Sequence, residues 1–456
     1  MDDRGPDVTA HGPVTARRFS RRAVVVAPAV VGVAVLVFVA GALGLVGPGP
    51  SPTRPASSAL PSAAGARPPA GADLPTTITS LQRRLEQVPS DQAAWATLGL
   101  AYVEQARVSV DPTYYPKAEG ALRRSLAIDS TDNYRAYAGM AALASARHDF
   151  AGARSWARGG LDVNPANATL WGLVGDAETQ LGDYDTAFDA IQRMVDLVPD
   201  TASLARASYT WELRGNVAEA TSIMQRALDD AATPADRAFA RYYLGELAFN
   251  AGDAQGALVQ YQAGLDADPS YARLLEGRAK AEAALGRVDE ALADYAAVVE
   301  RLPEPAYLLQ YGEYLQSLGR TDGAQKQYRI FGSVASLFEA NGVALDVDTV
   351  LFQADHGDPA AALREAEAAL AHRQFLDMDD AYAWALHVNG RDAEAREWSD
   401  RALALGTRNA LFHYHAGVIR QALGDADGAR THLADALDIN PNFNPLLAPQ
   451  VREALV

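Results

Sequence analysis

Histidine is the residue type whose distribution along this chain most suggests chemistry. Six of the eight histidines fall near the C-terminus: His356, His372, His387, His413, His415 and His432. Asp355 precedes the first of them, and Asp379 and Asp380 come shortly before His387. Imidazole and carboxylate groups bind transition metals when they converge to about 2.0–2.2 Å from one ion. Histidines at helix ends also serve as packing residues. A metal or small-ligand site and ordinary packing are therefore both open interpretations.

Other chemical motifs are missing from the sequence. There is no cysteine, which excludes disulfides, thiolate zinc sites and iron–sulfur clusters. The sequence has no P-loop, HExxH or GxSxG pattern. The repeats described below also leave no segment large enough for a catalytic domain. We therefore expect a binding protein without a cofactor, not an enzyme.

Charge is distributed unevenly. The net charge is −17, yet the first 22 residues hold five arginines against three aspartates. The acidic excess lies in the remainder and would repel phosphate backbones, so we expect no nucleic-acid partner. Lysine occurs only at Lys117, Lys280 and Lys326, and this preference for arginine is typical of bacterial proteins from GC-rich genomes.

An apolar segment near the N-terminus predicts a membrane anchor. Residues 23–46 contain no charged residue and are long enough for one transmembrane helix. Arg17, Arg18, Arg21 and Arg22 precede it, so the positive-inside rule places residues 1–22 in the cytoplasm as a basic tail. The rest of the chain is then extracytoplasmic, and the protein is a single-pass protein of the cell membrane. A cleaved twin-arginine export signal is the alternative.

A proline-rich segment follows the apolar one. Residues 47–76 hold eight prolines among alanine, serine and glycine. Such a composition cannot bury a core and favours extended polyproline geometry. We interpret these residues as a linker that separates the membrane helix from a folded domain spanning residues 77–456.

The folded domain has an internal repeat of 33 to 38 residues. A small residue marks the centre of each unit: Ala118, Ala153, Ala187, Ala220, Ala257, Ala291, Ala324, Ala362, Ala395 and Ala429. Glycine precedes most of these alanines by four or five residues, often followed by Asp or Asn, as in Gly182-Asp183 and Gly252-Asp253. Glycine ends one helix in the left-handed conformation, and the acidic or amide side chain caps the next. The spacing predicts about ten helical hairpins.

These units resemble the tetratricopeptide repeat (TPR). Trp95 and Trp171 match its first-helix aromatic, and Tyr261 matches its second-helix aromatic. Gly99, Gly175, Gly245 and Gly417 match its glycine. The resemblance covers roughly residues 90–442. It implies an all-α fold, a right-handed α-solenoid whose first helices line a concave groove. Residues 78–89 and 445–456 are predicted to cap its two ends.

The resemblance also indicates which side chains face the groove. The groove-facing register of the middle repeats presents an aromatic and acidic set: Tyr209, Glu212, Phe239, Tyr242, Glu246, Phe249, Glu276 and Glu313. Aromatic side chains anchor partners and carboxylates set a charge preference. We therefore expect a membrane-anchored scaffold that binds a protein or peptide in this groove. The alternatives are a metal- or small-ligand role at the histidine-rich C-terminal repeats and homotypic assembly.

Overall fold

The computed structural model describes residues 74–344 and 347–455, and within these residues the chain is helical without any strand. None of the helices in this part is both long and apolar enough to cross a membrane. The basic tail predicted at residues 1–22 and the transmembrane helix predicted at residues 23–46 lie outside the described residues. Most of the linker predicted at residues 47–76 does so as well.

In the described part of the chain, twenty-two α-helices form ten antiparallel hairpins with one additional helix at each end. The first helices of the hairpins are α2 (Gln92–Ser109), α4 (Tyr134–Ala146), α6 (Ala168–Gln180), α8 (Thr201–Leu213), α10 (Pro234–Asn250), α12 (Arg273–Ala284), α14 (Pro305–Ser317), α16 (Val347–His356), α18 (Leu376–Val388) and α20 (Ala410–Ala422). Their partners are α3 (Tyr115–Ile128), α5 (Phe150–Val163), α7 (Tyr184–Leu197), α9 (Val217–Asp229), α11 (Ala254–Ala267), α13 (Val288–Arg301), α15 (Thr321–Ala340), α17 (Pro359–Leu370), α19 (Asp392–Ala402) and α21 (Ala426–Ile439).

The two remaining helices lie at the ends of the array. Helix α1 (Leu74–Gln87) packs on α2, and helix α22 (Leu447–Ala454) packs on α21. Helix α1 begins at Leu74, so the last three residues of the predicted linker are helical. Proline is compatible with the first turn of a helix because the amide groups there have no intrahelical acceptor, which explains why Pro75 does not delay the start.

The structure confirms the predicted features of the hairpins, which are a buried central alanine, a glycine that ends the first helix and a side chain that caps the second. All ten marker alanines are buried, with at most 4% of their surface exposed, because each lies where the two helices of its hairpin meet. Eight of the marker alanines have a glycine five residues before them, and seven of these glycines adopt φ between 71° and 84°, the left-handed conformation that ends a helix; the exception is Gly357, before Ala362. Asp183 and Asp253 accept hydrogen bonds from backbone amides in the first turn of the next helix, as capping requires.

The array folds back on itself. The turn within each of hairpins two to five contacts the junction that follows the hairpin five repeats later. Hydrogen bonds form three of these closing contacts: Ala344 N donates to Arg147 O (3.1 Å), Gln374 N to Gln180 O (3.0 Å) and Asn440 Nδ2 to Phe249 O (2.8 Å). In the fourth, the backbone of Gly215 abuts the carbonyl oxygen of Gly406.

The closing contacts change the predicted groove. Residues of the first helices α8 and α10 line a cavity, and residues from the junctions of the last repeats lie opposite them. The sequence reveals neither this arrangement nor the pairing behind it, because the contacting residues lie about 190 positions apart. A cavity between two parts of the array therefore replaces an open groove at this place.

Candidate functional site

The central cavity lies between the middle hairpins and the C-terminal junctions and has a volume of about 160 Å³. Helices α8 and α10 form one wall. The start of α18, the junction before α20 and the segment after α21 form the other wall. Five of the eight predicted binding residues line it: Tyr209, Glu212, Tyr242, Glu246 and Phe249. The structure therefore brings most of the predicted set together in one place.

Tyrosine rings form much of the first wall. Tyr242 is 2% exposed, and its ring contacts that of Tyr243 edge-on at 5.2 Å between centroids. Burial raises the pKa of Tyr209 and Tyr242 well above the usual value, with neighbouring carboxylates adding to the effect. Both phenols are therefore neutral at physiological pH. The wall offers aromatic faces and hydroxyl groups but no tyrosinate charge.

Glu246 is the most heavily engaged carboxylate of the cavity. Lys280 Nζ lies 2.6 Å from Glu246 Oε2, and the Tyr261 hydroxyl donates to Glu246 Oε1 at 2.6 Å. Lys280 also lies 3.2 Å from Glu276 Oε1. Burial raises the pKa of Glu276 to about 7, against the opposing effect of Lys280. One ammonium group thus serves two carboxylates, and Glu246 has little capacity left for a ligand.

Glu212 is held more loosely. Within the part of the chain that the structure describes, its one hydrogen bond comes from Asn250 Nδ2, at 3.4 Å. Burial raises the pKa of Glu212 to about 7, and the negative charge of Glu246 adds to the shift. A carboxyl group with this pKa exchanges its proton near neutral pH and would be ionised fully by a cation placed beside it. Glu212 is therefore the carboxylate of the cavity best placed to receive a cationic group.

The opposite wall consists of residues that the sequence did not single out. Asp377, Arg408, Asn409 and Phe443 come from the C-terminal half and line the same cavity. They lie at hairpin junctions or helix starts, where polar residues normally serve as caps. No local pattern distinguishes a junction that faces a distant helix from one that faces solvent, so the sequence carries no signal for this wall.

The other three predicted residues lie outside the cavity lining. Phe239 packs edge-on against Tyr243 at 4.9 Å between centroids. Glu276 is buried beside Lys280, as described above. Glu313 is 1% exposed and accepts a hydrogen bond from Asn444 Nδ2 at 3.1 Å, while His356 Nε2 lies 3.4 Å from its other oxygen. That these residues bind a partner stays a prediction.

The histidine-rich repeats contain packing interactions. Trp384 is 1% exposed and stacks on His415 at 4.2 Å between ring centroids, and on His387 at 4.8 Å. His415 Nδ1 lies 2.8 Å from Asp380 Oδ2. His356 Nε2 lies beside Glu313. Among the described residues, neither His356 nor His387 belongs to a group of three converging potential ligands.

A different group of potential ligands does converge. His413 on α20 and His432 and Asp435 on α21 place their ligand atoms within 4.8 Å of one another. All three side chains are partly exposed. The sequence offers only one hint of this group, the spacing of His432 and Asp435 by three residues, which puts both on one helix face.

Comparison with known proteins supports the repeat assignment. The tetratricopeptide-repeat family matches residues 138–202 and 242–306, which lie mainly in hairpins two and three and in hairpins five and six. The repeats in these two segments are therefore similar to tetratricopeptide repeats. No curated protein matches the chain.

Solved structures with similar folds share little sequence with this chain. A tetratricopeptide repeat protein from Parabacteroides merdae is 18% identical, with a TM-score of 0.33, over 56% of this chain and 97% of its own. PilW, a type IV pilus biogenesis factor, is 18% identical, with a TM-score of 0.36, over 43% of this chain and 90% of its own. The human IFIT1 dimer is 13% identical, with a TM-score of 0.42, over 80% of this chain and 94% of its own.

Proposed function

We propose that this tetratricopeptide-repeat chain is a membrane-anchored, extracytoplasmic scaffold that binds a segment of a protein partner at the central cavity. The observation that carries the proposal is Glu212, a carboxyl group held by a weak hydrogen bond from Asn250 and set beside the aromatic wall of Tyr209 and Tyr242. A carboxylate beside aromatic faces suits a lysine or arginine side chain, whose apolar stem packs on the rings while its charge meets the carboxylate.

A binding role fits this cavity better than catalysis does. Catalysis by paired carboxylates requires two groups that are free to exchange protons with a substrate. Glu246 is already engaged by Lys280 and Tyr261, so Glu212 and Glu246 do not form such a pair. The acidic balance of the chain adds to the preference for a basic segment and opposes nucleic acid.

Membrane anchoring is inferred from the sequence. The uncharged residues 23–46 have the length of a transmembrane helix, and four arginines lie just before them. The proline-rich residues that follow would hold the helical array away from the bilayer. Fusion of alkaline phosphatase after residue 455 tests this topology, because the enzyme is active only outside the cytoplasm. Activity of a cytoplasmic reporter at the same position would contradict it.

Photo-crosslinking in cells tests the cavity. A benzophenone amino acid replaces Arg408, which is exposed at the cavity, and in a control it replaces Arg430, which is exposed on α21. We expect Arg408 to capture a discrete protein that Arg430 does not capture. Glu212→Gln removes the charge and should reduce this capture at least fivefold, whereas Glu290→Gln, a change on the surface of α13, should leave it unchanged.

Two outcomes would contradict the proposal. Equal capture from both positions would show that the cavity is not the binding place. Capture insensitive to Glu212→Gln would show that its carboxylate does not recognise the partner. If mass spectrometry identifies the captured chain as a second copy of this protein, homotypic assembly replaces the hetero-partner.

A further inference from the structure

The last hairpin holds a cluster of nitrogen and oxygen ligands on its partly exposed side. His413 lies in the first turn of α20, and His432 lies opposite it on α21. Their Nδ1 atoms are 3.2 Å apart. Asp435, one helical turn after His432, places Oδ2 3.4 Å from His413 Nδ1. Two helices thus contribute three ligand atoms to one small region.

The spacing of these atoms matches a tetrahedral metal. Zinc binds histidine nitrogen at about 2.0–2.1 Å and carboxylate oxygen at about 2.0–2.2 Å, so two ligands of one tetrahedral zinc lie roughly 3.3 Å apart. The His413–His432 and His413–Asp435 separations, 3.2 Å and 3.4 Å, bracket this distance. We propose that His413, His432 and Asp435 form a binding site for Zn²⁺ between the two helices of the last hairpin.

The facing imidazoles suit a metal, because zinc binds the lone pair of a neutral imidazole nitrogen. With the two Nδ1 atoms facing each other, at most one hydrogen bond can join them, whereas a metal would use both lone pairs.

The surrounding charges define the site further. Asp435 supplies the one carboxylate of the set. Arg420 approaches His432, but its guanidinium is paired with Asp400 at 2.6 Å, which reduces its repulsion of a cation. Arg408 lies near His413. Because the three ligands are partly exposed, the fourth position of a tetrahedral zinc would be open to water.

This site differs from the other histidines of the C-terminal repeats. His415 is fully buried and contacts Asp380, and His387 contacts Asp392. Each of them pairs with a carboxylate and stacks on an aromatic neighbour, an arrangement that packs without a metal. None of the three ligands lines the central cavity, so the test of the zinc site does not depend on the proposed partner.

A metal here would tie α20 to α21. Helix α21 leads directly into Asn440, which makes the closing contact with Phe249. Binding to the folded state alone stabilises a protein by mass action, so we expect zinc to raise the melting temperature.

The test uses the full-length protein, purified in detergent without a polyhistidine tag and stripped with a chelator. Zn²⁺ is titrated against a chromophoric competitor, and Co²⁺ serves as a spectroscopic probe. We expect one Zn²⁺ per chain, and the strong visible absorption that tetrahedral Co²⁺ shows with nitrogen and oxygen ligands. His432→Gln should weaken zinc binding at least 30-fold, and Asp435→Asn at least 10-fold. His372→Gln, an exposed histidine outside the cluster, is the matched control and should bind like the wild type.

Three results would count against the zinc site. Absence of stoichiometric zinc binding by the wild type would overturn the proposal. So would binding that His432→Gln and His372→Gln weaken equally. Asp435→Asn keeps both histidines and nearly the same shape, so it separates loss of a ligand from loss of the fold; unchanged affinity and cobalt spectrum in this variant would remove Asp435 from the site and overturn the three-ligand assignment.

Discussion

The backbone of Gly215 lies against the carbonyl oxygen of Gly406, although the two residues belong to hairpins that are five repeats apart. A Cβ atom at position 215 would overlap this oxygen. The same glycine has a φ of 72° and ends helix α8. One residue thus satisfies a local requirement, the left-handed end of a helix, and a distant one, the closure of the array.

Replacing this glycine should separate the two requirements. Gly286 has a φ of 74°, and a methyl group added to it would meet no atom of the described residues within 4 Å, so Gly286→Ala carries only the backbone cost. That cost is about 1–2 kcal/mol. Gly215→Ala adds the overlap with Gly406, and we expect it to cost about 1–3 kcal/mol more. Urea unfolding of both variants measures the difference. Equal losses would mean that the closing contact at Gly406 adds nothing to stability.

The closing contact between Asn440 and Phe249 can be tested in the same way. The Asn440 side chain donates to Phe249 O inside the protein, and loss of a buried hydrogen bond of this kind costs about 1–3 kcal/mol. We expect Asn440→Ala to speed amide hydrogen exchange in residues 249–252. Asn389→Ala is the control, because Asn389 donates to backbone carbonyls of its own and the preceding hairpin and takes no part in closure. Faster exchange at residues 249–252 in the control as well would contradict a specific role for Asn440.

Removing the Lys280 ammonium group should destabilise the protein, because this cation lies between the carboxylates of Glu246 and Glu276. Lys280→Met leaves Glu246 and Glu276 without their cation, and breaking a buried ion pair on one side costs about 3–5 kcal/mol. Adding Glu246→Gln and Glu276→Gln removes the uncompensated charges and should restore most of the loss. Lys326→Met changes an exposed lysine and should be neutral. Urea unfolding measures all three, and a neutral Lys280→Met would contradict the assignment.

Glu212 gives a dependence on pH with a defined sign. Its folded-state pKa of about 7 exceeds the ordinary 4.5, so the folded state holds this proton more tightly. Its contribution to stability is therefore complete below pH 4.5 and is lost as the pH rises through 7. Glutamine has no such loss. We expect Glu212→Gln to gain stability relative to the wild type between about pH 5 and pH 8.

The measurement is the difference in unfolding free energy between variant and wild type at the two pH values. Glu290→Gln, at an exposed position of α13, should show the same difference at both. A difference for Glu212→Gln that stays constant, or that moves towards the wild type as the pH rises, would contradict the raised pKa.

Many residues of the cavity can be predicted from the sequence, because the repeat determines which side of each first helix faces the inside of the array. Helical register, together with the groove that the tetratricopeptide resemblance implies, selects Tyr209, Glu212 and Tyr242, and these residues share the central cavity. Register does not select Arg408, since nothing near it in the sequence shows that it opposes these helices. The same limit applies to the histidines, because register cannot tell that His413 meets His432.

Local sequence is enough to define the hairpins: their number, their turns and the alanines at their centres. These features depend on capping, on backbone conformation at glycine and on helical periodicity, all of which act within one repeat. That the array closes and encloses a cavity emerges only from the folded chain in three dimensions. Closure depends on the small rotation between neighbouring repeats accumulated over five of them, and no local pattern specifies that sum.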